Sequence, residues 1–484
     1  MTTYAGIDLG TSGVKIVLAD ACDAILAEAS APLAVARPQP GWSEQHPDTW
    51  WKATCAAFDR LAADHPDLMA RMAGIGLSGQ MLGAVLVGSD DRPTRSCILW
   101  NDQRATAECA ELLRHAPDIG TRSAGSPDPG MTAPKLLWLA RHDRQALERA
   151  EVLMLPKDYL RLCLTGERAT EPSDAAGTLL MDCRTLQWDE ELATAAGWST
   201  ERLPRIVSSH AQAGRLRPEL AARWGMPGSV PVAAGAGDNM ACAIGVGAAT
   251  PGDGVVTIGT SGVLCAVDGR FHPAPEVAVL TNPHAAPGTW LSLGVVMSAT
   301  QSLEWLAGIC RMEVPDLADA AEAMARKRGI TDAPVMRPSL TGIRTPDNRP
   351  DAAAALAGIT ATTDAAALAY AVMEGVAFQF LDCHKAQKSA GVPLERLMAV
   401  GGGSRNRFWV GLIATLLDMP ISLPEGSANA AAAGAARLGS VACGDFRPDE
   451  ALPRKPALRA TIAPEAPLGP ALKQRHARFR ALPM

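Results

Sequence analysis

Short apolar runs bounded by glycine occur at equivalent points in the two halves of the chain. The turn sequence GTSG stands at residues 10–13 and again at residues 259–262. The flanking runs are rich in β-branched residues, which favours strands on both sides of each turn. The pattern therefore predicts two antiparallel hairpins, with strands at residues 4–9 and 14–19 and at residues 255–258 and 263–267.

Other stretches predict a strand followed by a glycine-rich turn and a helix. One runs from a strand at residues 230–233 to a helix that begins near Asn239, with Asp238 at its N-cap. The other is RLMAVGGGSRNRFWVGLIATLL. Alanine runs near Ala352 and Ala430 predict tightly packed helices. A basic segment, ALKQRHARFRAL, predicts a short C-terminal helix that packs on either domain, with a solvated charged face.

The length of 484 residues exceeds one ordinary core and favours two domains of roughly 200 to 250 residues each. A cluster of glycine and proline at residues 245–254 is typical of a linker. We therefore expect an N-terminal domain at residues 1–247 and a C-terminal domain at residues 248–484.

The composition of the chain indicates which kinds of partner the protein binds. Hydrophobic residues make up 48% of the chain, charged residues 20% and aromatic residues 4%, which is typical of a soluble globular protein. The net charge of −6, without a concentration of Lys and Arg, argues against a nucleic-acid partner. The eleven cysteines are scattered, and no leader or membrane-spanning stretch is recognisable. We expect a reduced, cytoplasmic protein that acts on small molecules, with no membrane partner.

Each GTSG turn has the chemistry of a phosphate cradle. Its glycines permit positive φ and close approach of a ligand, while backbone N–H groups and hydroxyls line one concavity. Small residues also suit a plain tight hairpin, which is the alternative for either copy alone. Neither copy is a P-loop, because no G-x-x-x-x-G-K-[ST] pattern is present. Two copies facing one another across a cleft would hold the two ends of a polyphosphate.

Two carboxylates are candidates for chemistry. Asp8 lies two residues before the first turn, where a Mg²⁺ ion would need only one carboxylate besides phosphates and water. A turn-capping aspartate is the alternative. At a helix N-terminus, Asp238 would stay ionised and could accept a hydroxyl proton. Its alternative is an ordinary N-cap.

The motifs together resemble those of the FGGY carbohydrate kinases, and they are most similar to members that phosphorylate D-xylulose. The resemblance spans nearly the whole chain in family order. It is carried by GIDLGTSGVK, GLSGQMLGAVLV, ILWNDQRA, GMTAPKLLWLARH, LPKDYLRLCLTGE, SDAAGTLLMD, GAGDNMACAIGVG, TIGTSGV, SLTGIRTPDN and AVGGGSRNRFW. Lys135 and Trp138 stand in the family's expected places.

The resemblance implies an α/β protein of two actin-like, ribonuclease-H-like ATPase domains, each a five-stranded sheet flanked by helices, with a central active-site cleft. It implies ATP-dependent phosphorylation of D-xylulose to D-xylulose 5-phosphate, with Asp238 as general base and Asp8 as the Mg²⁺ ligand. Family habit also implies a homodimer. The implied ATP contacts are Thr11, Ser12, Lys15, Gly259 and Thr260 at the phosphates and Gly402, Gly403 and Asn406 at the adenosine.

The sugar pocket is where the chain departs from the family. Its candidate residues are Gln80, Met81, Leu82, Trp100, Asn101, Asp102 and Asn239. Members that use xylulose usually carry His at the position of Leu82, and many relatives carry Glu at the position of Ile343. Loss of a hydrogen bond to a sugar hydroxyl would change the acceptor, so D-ribulose or another small ketose or polyol stays open. Trp100 suits either sugar stacking or core packing.

Two alternatives belong to other functional classes. An actin-like assembly or chaperone protein would share the hairpins but would need no base beside a sugar. A regulatory relative would bind a sugar phosphate without catalysis. The Asp238-Asn239 pair and the presence of Asp8 favour the kinase.

Overall fold

The computed structural model describes residues 2–483, and it contains two mixed β-sheets of seven strands each. The first sheet consists of Gln212–Arg215, Pro231–Ala233, Met72–Gly79, Thr3–Leu9, Gly13–Ala19 and Ile25–Pro32 in spatial order, with Ala236–Gly237 also paired to Met72–Gly79. The second consists of Leu280–Pro283, Trp290–Val296, Gly262–Asp268, Gly252–Ile258, Leu394–Val400, Ile421–Pro424 and Leu458–Ile462.

Five strands of each sheet follow the same order. In both, the strand before the GTSG turn pairs antiparallel with the strand after it, which pairs antiparallel with a third. The strand before the turn also pairs parallel with a fourth strand, and the fourth with a fifth. Both predicted hairpins are thus confirmed. The expectation of five-stranded sheets was too small, because two further short strands extend each sheet to seven.

Helices cover the sheets. In the first half they are Pro47–Asp64, Pro66–Met69, Thr106–His115, Ile119–Arg122, Thr132–His142, Arg144–Arg149, Pro156–Thr165, Pro172–Ala175, Glu190–Ala195, Pro218–Trp224 and Asp238–Gly245. In the second half they are Thr300–Cys310, Val314–Arg328, Ala365–Ser389, Arg407–Leu417, Ala430–Ala442, Pro448–Ala451 and Gly469–Arg480. Ala365–Ser389 is long and apolar enough to cross a membrane, but 83% of its most apolar window is buried inside the protein, as expected of a core helix.

The helix Ala430–Ala442 joins the two halves. Although it follows a strand of the second sheet, it packs on the first sheet and on the helix Asp238–Gly245. The contact is backbone to backbone: a Cβ on Gly6 would lie 1.8 Å from the Ala432 carbonyl oxygen, and one on Gly76 would lie 1.8 Å from that of Ala435. The predicted tight packing near Ala430 is confirmed, since only small residues permit this approach.

One prediction about the second half was wrong, and another holds only in part. The alanine run near Ala352 forms no helix; it is irregular and leads into the short strand Ala355–Ala357. The charged face of Gly469–Arg480 is solvated at Lys473, Arg478 and Arg480, which are exposed, but Arg475 is buried and its Nε donates to Glu374 at 2.6 Å. His476 lies 2.8 Å from Asp382. These contacts dock the C-terminal helix on Ala365–Ser389.

Candidate active site

Strand register brings three candidate segments to one edge of the first sheet. Leu9 and Gly237 are both in register with Gly79, and the three strands are parallel. The next residues along the chain, Gly10, Gln80 and Asp238, therefore leave the sheet side by side at the carboxyl ends of its strands. Ligands bind at this edge in open α/β sheets.

The glycines of the GTSG turns serve packing rather than backbone geometry. None of Gly10, Gly13, Gly259 and Gly262 has a positive φ, so that part of the prediction was wrong. A Cβ on Gly13 would lie 2.9 Å from the Ala31 carbonyl oxygen, and one on Gly262 would lie 2.5 Å from Cζ of Phe380. The turns are close-packed at their exits because neighbouring strands and helices press on them.

A hydrogen-bond network ties the first turn to the candidate sugar residues. Thr11 Oγ1 donates to Gln80 Oε1 at 3.0 Å and accepts from the Trp100 indole nitrogen at 3.0 Å. Gln45 connects to both sides, since its Nε2 donates to the Thr11 carbonyl oxygen at 2.8 Å and its Oε1 accepts from Gln80 Nε2 at 3.0 Å. Trp100 is 38% exposed, which excludes the core-packing alternative.

The carboxylates of Asp8 and Asp238 are close enough to influence one another. Ser78 Oγ donates to Asp8 Oδ1 at 2.9 Å, and Asn239 donates to Asp238 Oδ1 through its backbone nitrogen at 2.7 Å and its Nδ2 at 2.9 Å. Desolvation, and then the negative charge of Asp8, raise the pKa of Asp238 to about 7. Desolvation also raises the pKa of Asp8, against the hydrogen bond from Ser78 and the charge of Lys15.

Two expectations for these residues are corrected. The helix begins at Asp238 itself, and Gly237 is the N-cap. The helix N-terminus does not keep the Asp238 carboxylate fully ionised, because desolvation and Asp8 outweigh it. Asp8 lies within the strand Thr3–Leu9, opposite Lys15, and its only side-chain partner among the described residues is Ser78, which excludes the turn-capping alternative.

The chemistry of this carboxylate pair fits a Mg²⁺ ion. No cluster of three or more His, Cys, Asp or Glu side chains suited to a metal occurs within residues 2–483. Mg²⁺ needs no such cluster, since one or two carboxylates suffice when substrate phosphates and water complete the shell. The Asp8 Oδ2 atom accepts no hydrogen bond within residues 2–483. A cation between Asp8 and Asp238 would relieve their repulsion.

The second sheet places its turn and the glycine loop at one edge as well. Gly401 has φ +86°, and a Cβ there would lie 2.7 Å from the Ile258 carbonyl oxygen, directly before the second turn. Gly403 also packs on Ile258, whereas nothing lies within 4 Å of a Cβ on Gly402. The predicted strand, close-approach turn and helix are confirmed as Leu394–Val400 and Arg407–Leu417.

Some of the remaining candidate ATP residues already make hydrogen bonds within the protein, whereas others are exposed. Asn406 is the N-cap of Arg407–Leu417, and its Oδ1 accepts from the Trp409 nitrogen at 2.8 Å. The carbonyl oxygens of Gly259 and Thr260 accept from the start of the helix Thr300–Cys310. Ser12 and Thr260 are exposed. Lys15 Nζ donates to Asn429 Oδ1 at 2.8 Å, and Asn429 is the N-cap of the helix Ala430–Ala442 that joins the two halves.

Leu82 occupies a strained position. Its φ of +71° lies in the left-handed region, which costs a branched side chain roughly 1–2 kcal/mol. Its carbonyl oxygen accepts from Thr132 Oγ1 at 3.0 Å and from Lys135 Nζ at 2.9 Å. Lys135 is fully buried, and desolvation lowers its pKa to about 8. A Cβ on Gly177 would lie 2.3 Å from Leu82 Cδ2, so Gly177 makes room for the leucine.

The other sugar candidates separate into free and engaged groups. Asp102 is fully buried, and its oxygens accept from the Ser43 nitrogen and from Arg104. The predicted sugar contact of Asp102 therefore lacks a free oxygen in this structure. Asn101 Oδ1 is buried without a partner within residues 2–483. Asn239 Nδ2 is held by Asp238. Met81 packs against Gly237, at the start of the Asp238 helix.

Several residues of this region were not predicted from the sequence. Ser78 lies in the quoted motif GLSGQMLGAVLV, where a small hydroxyl before a glycine was a readable signal. Ser173 likewise begins the quoted motif SDAAGTLLMD. Gln45 and Asn429 gave no comparable signal, because each acts through partners far away in the chain.

Comparison with known proteins agrees with this architecture. Residues 3–245 match the N-terminal domain of the FGGY family of carbohydrate kinases, and residues 254–443 match its C-terminal domain. The chain belongs to this family. The expected two-domain, actin-like ATPase fold is thereby confirmed.

Similar proteins cover nearly the whole chain. A xylulose kinase of Escherichia coli is 37% identical over 482 residues, which is 99% of this chain and 98% of that protein. A xylulose kinase of Klebsiella pneumoniae is 39% identical over 91% of this chain and 90% of its own. The crystal structure of a xyloylose kinase from Brucella ovis has a TM-score of 0.94 at 43% identity, covering 99% and 98% of the two chains.

Proposed function

We propose that this carbohydrate kinase transfers the γ-phosphoryl group of ATP to D-xylulose, giving D-xylulose 5-phosphate and ADP. The observation that carries the proposal is the paired carboxylates, Asp8 and Asp238, at the strand edge beside the first GTSG turn. The names of the similar proteins supply the sugar.

In the proposed reaction, Asp238 accepts the proton of the sugar hydroxyl as its oxygen bonds to the γ-phosphorus, and the bond from phosphorus to the bridging ADP oxygen breaks. A carboxylate whose pKa lies near 7 suits this role, because a base is most effective near the working pH. Asp8 would hold Mg²⁺, which neutralises phosphate charge when bound. The two turns, with Lys15, would hold the phosphates, and Gly402, Gly403 and Asn406 would face the adenosine.

The proposed sugar contacts are Gln80, Met81, Leu82, Trp100, Asn101 and Asn239. Asp102 would act indirectly, since it orients the loop that carries Trp100. Another acceptor, such as D-ribulose or a different small ketose or polyol, is the second candidate, because the apolar side chain of Leu82 cannot hydrogen-bond a sugar hydroxyl. We also propose a domain boundary near residue 247 and a homodimer in the cytoplasm.

A coupled assay of ADP release with Mg²⁺-ATP tests the function. The panel contains D-xylulose, D-ribulose, other ketoses, pentitols and glycerol. We expect turnover on D-xylulose that Asp238→Ala abolishes while nucleotide binding persists. Strong turnover on another acceptor would move the specificity and keep the mechanism. No stimulation by any sugar, or full activity of Asp238→Ala, would overturn the proposal.

A further inference from the structure

A fully buried cluster of ionisable side chains is connected by hydrogen bonds to Gly237, the residue before Asp238. Lys157, Asp158, Arg161, Glu171 and Asp174 have no exposed surface. Lys157 Nζ lies 2.7 Å from Asp158 Oδ1, 3.2 Å from Glu171 Oε1 and 3.3 Å from Asp174 Oδ2. Burying ionisable groups costs free energy unless their charges are paired, and even paired buried charges rarely improve stability. Stability alone is therefore a weak reason for this cluster.

The cluster reaches the catalytic helix through one serine. The Gly237 backbone nitrogen donates to Ser173 Oγ at 3.1 Å, and Ser173 Oγ donates its own proton to Glu171 Oε1 at 3.0 Å. A hydroxyl has one proton and two lone pairs. Because the carboxylate takes the proton, a lone pair of Ser173 is left to accept from Gly237. Gly237 is the N-cap of the helix that begins with Asp238.

We infer that Ser173 is a positioning residue for Asp238, held in orientation by Glu171 and Lys157; the inference rests on the proposed function. Phosphoryl transfer depends on placing the base within hydrogen-bond reach of the hydroxyl, and small displacements are costly. The peptide before Asp238 is fixed on one side by Ser173 and on the other by Met81, whose Sδ would lie 2.6 Å from a Cβ on Gly237.

The chain supplies a matched control in Ser209. Ser209 Oγ donates to the other oxygen of the same carboxylate, Glu171 Oε2, at 2.7 Å, and Ser209 is also buried. Its side chain has no bond to Gly237. Ser173→Ala and Ser209→Ala therefore remove equivalent hydrogen bonds to Glu171, and only Ser173→Ala leaves the Gly237 N–H without its acceptor.

The test compares both variants with the unmodified protein in sugar-kinase turnover, thermal unfolding and amide exchange of residues 237–240. We expect kcat to fall at least tenfold in Ser173→Ala with KM for ATP unchanged, and by less than threefold in Ser209→Ala at a similar melting temperature. Ser173→Thr, which keeps the hydroxyl, should recover kcat. Equal losses of kcat in both alanine variants, or no loss in either, would overturn the inference.

Amide exchange separates this inference from the proposed function. We expect the Gly237 N–H to exchange at least tenfold faster in Ser173→Ala and at an unchanged rate in Ser209→Ala. If the unmodified protein phosphorylates no sugar, the proposed function fails, and exchange alone then decides whether Ser173 positions the helix start. Equal exchange in the two variants would overturn positioning even in an active enzyme.

Discussion

At the scale of single residues, Asp238 makes the stability of the folded protein depend on pH. Its pKa is raised to about 7 in the folded protein by desolvation and by Asp8, whereas an unfolded chain titrates aspartate at about 3.9. The folded state therefore binds this proton more tightly than the unfolded state. Above about pH 7, folding carries the full cost of an ionised carboxylate, and the cost declines as pH falls toward the unfolded pKa.

Asp238→Asn should consequently abolish sugar phosphorylation and yet raise the melting temperature at pH 8. The gain should shrink between pH 7 and pH 4, since the wild-type carboxyl becomes protonated in the folded state over that interval. Thermal unfolding across this range, with the exposed Asp316→Asn as control, measures the effect. A gain independent of pH, or one equal to that of the control, would contradict the raised pKa.

The raised pKa of Asp238 should also appear in the pH dependence of the reaction rate. With Asp238 as base, kcat/KM for the sugar should fall as pH drops through about 7 in the free enzyme, because protonation removes the acceptor. A pH-rate profile measures this acid limb. A flat profile between pH 5.5 and pH 8 would remove Asp238 from the base role.

Leu82 combines a strained backbone conformation with a proposed contact to the sugar. Histidine tolerates its left-handed φ of +71° better than leucine, and its ring could hydrogen-bond a sugar hydroxyl. Leu82→His should therefore raise kcat/KM for D-xylulose by about 5- to 150-fold, corresponding to about 1–3 kcal/mol. The D-xylulose and D-ribulose rates of both proteins measure the change, and Leu82→Met keeps an apolar side chain as control. An unchanged or lower D-xylulose rate for Leu82→His would discard the explanation.

At the scale of elements, the second glycine loop has two adjacent glycines with opposite surroundings. A Cβ on Gly403 would lie 2.3 Å from Ile258 Cγ2, so Gly403→Ala should destabilise the folded protein by about 1–3 kcal/mol. Gly402 is exposed with open space around it, so Gly402→Ala should change stability by less than about 0.5 kcal/mol. Unfolding of the ligand-free proteins distinguishes them, and equal stabilities would show that the loop does not pack on Ile258 as described.

Secondary-structure elements were predictable where neighbouring residues alone determine them. Alternation and β-branched residues were sufficient for both hairpins, and the glycine turn before Arg407–Leu417 was readable in the same way. The packing partner of the C-terminal helix could not be predicted from the sequence, because the ion pair of Arg475 with Glu374 joins residues about a hundred positions apart. The raised pKa of Asp238 escaped prediction for a similar reason, since Asp8 reaches it only through strand pairing.

At the scale of the whole molecule, two helices of small residues hold the halves together. A Cβ on Gly434 would lie 1.9 Å from the Ala241 carbonyl oxygen, and one on Gly245 would lie 1.9 Å from that of Ala430. The helix Asp238–Gly245 is thus seated against Ala430–Ala442 by its backbone. Any separation of the two helices would move Asp238 relative to the second GTSG turn, because Ala430–Ala442 follows a strand of the second sheet.

Gly434→Ala should therefore impair both stability and catalysis. The added methyl group meets backbone atoms that cannot rotate away. We therefore expect the free energy of unfolding to fall by about 3 kcal/mol, and kcat to fall while KM for ATP changes less. Gly308→Ala is the matched control: it lies in the helix Thr300–Cys310 with nothing within 4 Å of the new Cβ, and it should stabilise by about 0.5–1 kcal/mol. Thermal unfolding and the ADP-release assay measure both variants. If Gly434→Ala were as stable and active as Gly308→Ala, the helix crossing would not be what sets the position of Asp238 relative to the second GTSG turn.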